Sequence, residues 1–233
     1  MILKNLLLAV VLVLAMVTPS LAQTNEPPPL GAILDLNGLP VPHGAPVQYT
    51  VNFTAALSST AITFAFREDP AFIVFQNASV VDQTTSSGNL LTNGNFLGGV
   101  YTDNGNSATP IGWTYANIFG AGAGGVVSTS CSPSSGTCWI DGAIQAYDAI
   151  SQTIPTSVGD HYQISIFVTD NGGLTTFSDL STNGIVNGTG GNGIDVLAYA
   201  QAGLPAPGVP EPATMLLLGL GLVGVAGVRR FKK

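Results

Sequence analysis

Between residues 30 and 200 no apolar stretch of the chain keeps a helical period for longer than about two turns. Short runs that alternate with polar positions take its place. Tyr49, Val51 and Phe53 alternate with Thr50, Asn52 and Thr54, and Ile62–Phe66 repeats the pattern. Phe72–Phe75, Ala78–Val81, Tyr162–Val168 and Ile194–Tyr199 follow. Alternation places every apolar side chain of a run on one face of a strand, and that face needs a second sheet to cover it. The expectation is an all-β fold, an antiparallel two-sheet sandwich. Turn signals punctuate the runs at Asn93-Gly94, Asn104-Gly105, Asp141-Gly142, Asn171-Gly172-Gly173 and Asn187-Gly188. The stretch Ser181–Gly193 reads as a long exposed loop.

Composition agrees. Only 8% of residues are charged, and the chain holds 29 glycines and 15 prolines, which suits a turn-dense β domain better than a helical one. The cations are Lys4, Arg67, Arg229, Arg230, Lys232 and Lys233, so all but Arg67 lie at the extreme ends. Cut near residues 22 and 212, the chain would keep 13 acidic groups and one cation, a formal charge of −12. Such a body has no use for phosphate neutralisation, which excludes nucleic acid as a partner. An acidic surface rich in Ser, Thr and Asn suits an extracellular or matrix setting.

The two ends follow a different logic. Lys4 precedes an apolar run from Leu6 to Val17, and Ser20-Leu-Ala22 supplies small residues before Gln23. That order is a secretory signal peptide over residues 1–22, cut after Ala22, with an uncleaved anchor as the alternative. At the other end, residues 206–233 form a separate segment. Val209-Pro210-Glu211-Pro212 stays extended because proline bars helix from the residue before it. The uncharged residues 213–228 follow, and as a helix they would span about 24 Å, slightly short of a hydrocarbon core. Arg229, Arg230, Lys232 and Lys233 close the chain, and by the positive-inside rule they stay cytoplasmic with residues 23–212 outside.

Val-Pro-Glu-Pro, a Gly-rich apolar helix and a terminal Arg-Arg-Phe-Lys-Lys resemble the PEP-CTERM sorting signal. The resemblance covers only the last part of the chain. It implies recognition by an exosortase, a membrane-embedded cysteine transpeptidase of Gram-negative bacteria that make exopolysaccharide. Pro210, Glu211 and Pro212 would be the recognised motif. The helix would hold the precursor in the inner membrane, and the basic tail would stop transfer. Processing would then send the protein to the cell surface or extracellular matrix. A plain single-pass anchor that is never cut is the alternative.

A second resemblance spans residues 23–205. Asn89-Leu-Leu-Thr-Asn93-Gly94-Asn95-Phe96, with Gly112-Trp113 downstream, looks like the opening of galactose-binding-like, carbohydrate-binding-module-type jelly rolls. Ala149–Ile154 and Tyr162–Ile166 look like their central strands. Phe66–Phe72 and Phe75–Val80 resemble the closing strands, yet they come first. Residues 31–82 therefore carry the closing pattern and 88–204 the opening and central one. A circular permutation explains the inversion if residues 49–81 pair in the same sheets as residues 140–200. A truncated first domain followed by an incomplete second is the other explanation.

Little in the chain points to chemistry. Cys131 and Cys138 are the only cysteines, and in an exported chain they read as one disulfide; a redox pair or a metal site is the alternative. His43 and His161 have no Ser or Cys partner in sequence and read as surface residues. Asp141, Asp148, Asp170, Asp179 and Asp195 sit among turn signals and read as turn formers, with paired-carboxylate glycoside hydrolysis as the sharper alternative. No cofactor is expected, although a structural Ca²⁺ stays open with no ligands to name. Trp113, Tyr115, Trp139 and Tyr147 are either core rings or a surface on which a glycan stacks. The expectation is a non-catalytic, structural or adhesive envelope or matrix protein that contacts exopolysaccharide. A secreted carbohydrate-active enzyme and an uncleaved, membrane-tethered binding module are the alternatives.

Overall fold

The computed structural model of the chain describes residues 28–69, 72–121, 124–129, 131, 136–144, 146–170, 175–177 and 193–201. The signal segment 1–22, the loop residues 181–192, and the segment 206–233 with its apolar helix 213–228 lie outside them. Among the described residues no helix is long and apolar enough to cross a membrane.

The described strands are β1 (Leu34–Asp35), β2 (Val47–Thr54), β3 (Ser59–Asp69), β4 (Ile73–Asp82), β5 (Val100–Asp103) and β6 (Asn106–Pro110). They continue with β7 (Thr114–Ala116), β8 (Val126–Ser128), β9 (Cys138–Asp141), β10 (Asp148–Pro155), β11 (His161–Asp170) and β12 (Gly193–Gln201). Sheet I has the order β1-β12-β3-β10-β7 and sheet II the order β2-β11-β4-β9-β8, while β5 and β6 form a separate hairpin. Every strand pair is antiparallel. Chain-consecutive strands change sheets from β2 through β4 and again from β10 through β12, the crossing pattern of a jelly roll.

Residues 47–82 and 139–201 are woven together. β3 lies between β12 and β10, and β11 lies between β2 and β4. The two stretches therefore share one core. Ile62, Phe64 and Phe66 of β3 meet Phe75 and Val80 of β4, Ile150 and Ile154 of β10, and Ile164, Ile166 and Val168 of β11. The rings of Phe64 and Phe66 lie 4.9 and 5.1 Å from that of Phe75. Each such side chain contributes about 1.5–3 kcal/mol through the apolar surface it withdraws from water.

The two runs expected at 72–75 and 78–81 form one strand. The register with β11 shifts between Ser165 and Phe167, and Asn77 takes φ 48°. This bulge inserts a residue and switches the parity of β4. Ile73 and Phe75 before it, and Ala78 and Val80 after it, all reach the same core. The Asn104-Gly105 signal closes the β5–β6 hairpin with both residues at positive φ, as a type I′ turn requires. The disulfide joins Cys131 to Cys138 at the start of β9 and packs beside Val74 and Ile140. A loop this short gains about 2–3 kcal/mol from closure in the chain-entropy model.

Candidate functional site

The Asn89–Phe96 segment works as a clasp. Asn89 Oδ1 accepts the amides of Val80 and Leu91, and its Nδ2 donates to Ala78 O. Ala78 N in turn donates to Gly94 O at 2.9 Å. Gly94 lies so close to β4 that a Cβ there would overlap the Ala78 carbonyl oxygen. Asn93 ties the far side, accepting from Gly98 N at 2.7 Å and donating to Ile111 O at 2.9 Å. Phe96 drops into the core, 5.9 Å from both Phe75 and Trp113.

The four rings weighed as either core or glycan contacts are all interior, so the core alternative holds and the glycan contact is corrected. Trp113 is 1% exposed, Tyr115 5%, and Trp139 and Tyr147 0%. Trp113 lies against Phe64 and Phe96 and donates its indole N–H to Asn93 O at 3.2 Å. Trp139 lies 6.3 Å from Tyr115 and donates to Asp141 Oδ2 at 2.9 Å. Tyr147 gives its hydroxyl proton to Asp195 Oδ2 at 2.7 Å. Stacking on a pyranose needs a ring face open to solvent, and these rings have none.

The carboxylates read as turn formers are corrected as well. Asp141, Asp148, Asp170 and Asp195 are buried at strand positions, whereas Asp179 lies outside the described residues. Asp141 belongs to sheet II and Asp148 to sheet I, and the two buried carboxyls act on each other electrostatically between the sheets. Two buried negative charges repel each other, which favours a proton on the pair. Asp141 also accepts from Trp139 Nε1 and from Ala143 N. Asp148 Oδ2 accepts from Gly125 N at 3.1 Å, and the nearby Tyr115 hydroxyl favours its charged form. Burial, then the charge of Asp141, pushes Asp148 well above the ordinary carboxyl range. Burial raises Asp141, against the hydrogen bonds it accepts. Burial and the Asp148 charge likewise raise the Tyr115 hydroxyl, which stays protonated.

A second polar group lies on the other side of sheet I. The Arg67 guanidinium pairs with Asp69 at 2.9 Å, both wholly buried, and Asp195 stands opposite Arg67 in the ladder. Beside it Ala65, Tyr147, Ala149, Leu197 and Tyr199 form a satellite cluster with Ile118 and Phe119. Residues 117–121 thus help cover the outer face of the sheet.

A described concavity lies elsewhere. Asn77, Ser79, Asn89, Asn93 and Asn95 line an open groove of about 360 Å³ beside the bulge of β4. It is uncharged, and the Asn77 side chain is exposed. The bulge was not legible in sequence, because Asn77 falls between two apparent strands. His43 lies 3.6 Å from Asp170, and His161 contacts Thr54 Oγ1 at 3.0 Å on the exposed face of β11. Among the described residues no three His, Cys, Asp or Glu side chains gather to hold a metal ion.

Pro210, Glu211, Pro212, Arg229, Arg230, Lys232 and Lys233 lie outside the described residues. The family model of the PEP-CTERM protein-sorting motif matches residues 208–230. A motif of this kind marks an exported protein that an exosortase sorts from the membrane. No curated protein and no solved structure matches the chain.

Proposed function

We propose that the chain is a sorted structural or adhesive component of the cell envelope or extracellular matrix. The precursor is anchored in the inner membrane through residues 213–228, and exosortase processing near Pro210–Pro212 delivers the β-sandwich to the surface. The observation that carries this reading is the sorting-motif match at residues 208–230. The build of the sandwich supports a binding rather than a catalytic role. Asp141 and Asp148 are fully buried, whereas glycoside hydrolysis holds its two carboxyls about 5–10 Å apart around a bound sugar.

Deleting Pro210–Pro212 is expected to leave the precursor at full mass in the inner membrane, while the parent chain loses its C-terminal segment. Intact-mass measurement on protein from a host with an active exosortase reads the difference. Equal processing of both chains, or of neither, counts against the reading.

Exopolysaccharide contact fits the Asn77–Asn95 groove better than the buried rings. Amides and a hydroxyl there hydrogen-bond sugar hydroxyls without charge, and the acidic body favours neutral chains over anionic ones. Asn77→Ala is expected to weaken retention of the full chain on host exopolysaccharide beads severalfold. Undiminished retention would remove the groove from consideration.

A further inference from the structure

Sheets usually protect their outer strands, because an unpaired row of N–H and C=O groups templates pairing with another chain. Three outer strands here follow that practice. β1 has 2 residues and carries Asp35, and β7 and β8 have 3 residues each and lie beside β6. β2 does not. It has 8 residues, Val-Gln-Tyr-Thr-Val-Asn-Phe-Thr, with no charge and no proline, and its register with β11 runs without a bulge. Among the described strands only β11 pairs with it.

The orientation of its backbone can be followed from the turn beyond it. Ala55 N donates to Asp160 O and Ala55 O accepts from Gly159 N, so Ala55 faces the β11 side. Alternation then turns the peptide groups of Phe53, Val51 and Tyr49 toward β11 and those of Thr54, Asn52, Thr50 and Gln48 outward. The same strand is self-complementary. With Val51 opposite Val51 of a second copy, Tyr49 meets Phe53 on the core side. Thr50 then meets Asn52 and Gln48 meets Thr54 on the outer side, and each of these outer pairs exchanges two backbone hydrogen bonds. The side chains already around them are uncharged: Gln48 donates to Ser165 Oγ at 2.6 Å, and Gln163 donates to Asn52 Oδ1 at 3.3 Å.

We propose that β2 is a homotypic interface, through which two copies pair antiparallel about a two-fold axis at Val51 and continue sheet II from one sandwich into the next. The edge offers uncharged contact between two acidic bodies, so association strengthens as salt screens their long-range repulsion. The interface does not depend on the sorting reading, since it is tested on the chain whether or not an exosortase processes it.

Val51→Cys in the full, exported chain places two thiols across a non-hydrogen-bonded pair, where the Cα spacing of about 4.5 Å suits a disulfide. The native cysteines are already joined to each other. A species of twice the mass on non-reducing electrophoresis, lost on reduction, is the expected result. Gln48→Cys, about 20 Å from its own copy in this register, is expected to give none. Adding Thr50→Lys and Asn52→Lys to Val51→Cys sets like charges opposite each other on the exposed face and is expected to abolish the doubled species. A Val51→Cys chain that stays single, a Gln48→Cys chain that links equally well, or linkage that survives both lysines would each overturn the proposal.

Discussion

Trp113→Ala is expected to lower the stability of the sandwich by about 3–5 kcal/mol, the range for losing a large buried ring. That is at least about a fifth of the roughly 5–15 kcal/mol a typical domain has to lose. The size follows from the position of the ring. Trp113 bridges Phe64 of β3 and Phe96 of the clasp, each 5.9 Å away, and its indole N–H satisfies the Asn93 carbonyl. Removing it opens a cavity, orphans a carbonyl and frees the clasp from the core at once. Trp113→Phe keeps the ring contacts and loses only the donor, so its cost is expected to be about 1–3 kcal/mol. The chain has 2 tryptophans, so the alanine variant keeps Trp139 as its single indole reporter for a urea titration. An alanine variant that melts like the parent would show that Trp113 is not the keystone described here.

Asp148→Asn is expected to raise the melting temperature at neutral pH and to flatten its dependence on pH. Burial and the charge of Asp141 raise the folded Asp148 carboxyl above its unfolded value. Its contribution is therefore complete below the ordinary carboxyl range and fades as pH rises through the raised folded value, because the folded state then has to bury two charges. Among the described groups that act on the pair there is no cation to offset this: Trp139 donates a neutral hydrogen bond to Asp141, and the Tyr115 hydroxyl is uncharged. An asparagine fits the same shape. Its oxygen keeps the bond from Gly125 N, and its amide carries no charge at any pH. Each kcal/mol gained would appear as about 2–4 °C. Calorimetry of both chains from mildly acid to alkaline pH reads the effect, and parallel profiles would contradict a raised Asp148 carboxyl.

What the sequence showed and what it hid divide along one physical line. The runs at 62–66, 149–154 and 162–168 were legible because period-two alternation is local, and they became β3, β10 and β11. Asn104-Gly105 was legible because a two-residue turn selects its residues by φ alone. β3 runs on through Arg67, Glu68 and Asp69, where charge argues against a buried strand. Their burial depends on partners such as Asp195, which the ladder brings up from far along the chain. Asp141 and Asp148 look like turn formers in sequence, and only the facing of two sheets brings their carboxyls together. Trp113 was undecided between core and surface for the same reason, since Phe64 and Phe96 reach it from separate strands and loops. The interleaving of residues 47–82 with 139–201 shows the same dependence on distant pairing.

The buried Arg67 has a practical consequence for anyone who looks for this protein. From Gln23 to Val228 it is the sole arginine or lysine, and its guanidinium is locked against Asp69 inside the fold. The folded sandwich thus offers trypsin-like proteases no accessible cleavage point, and amine-directed labels find no lysine on it. Even after denaturation, digestion beyond Arg67 yields a single peptide reaching to Arg229, too long for routine detection. A matrix rich in this domain would resist trypsin and be undercounted in a tryptic survey, whereas cleavage at aspartate would reveal it.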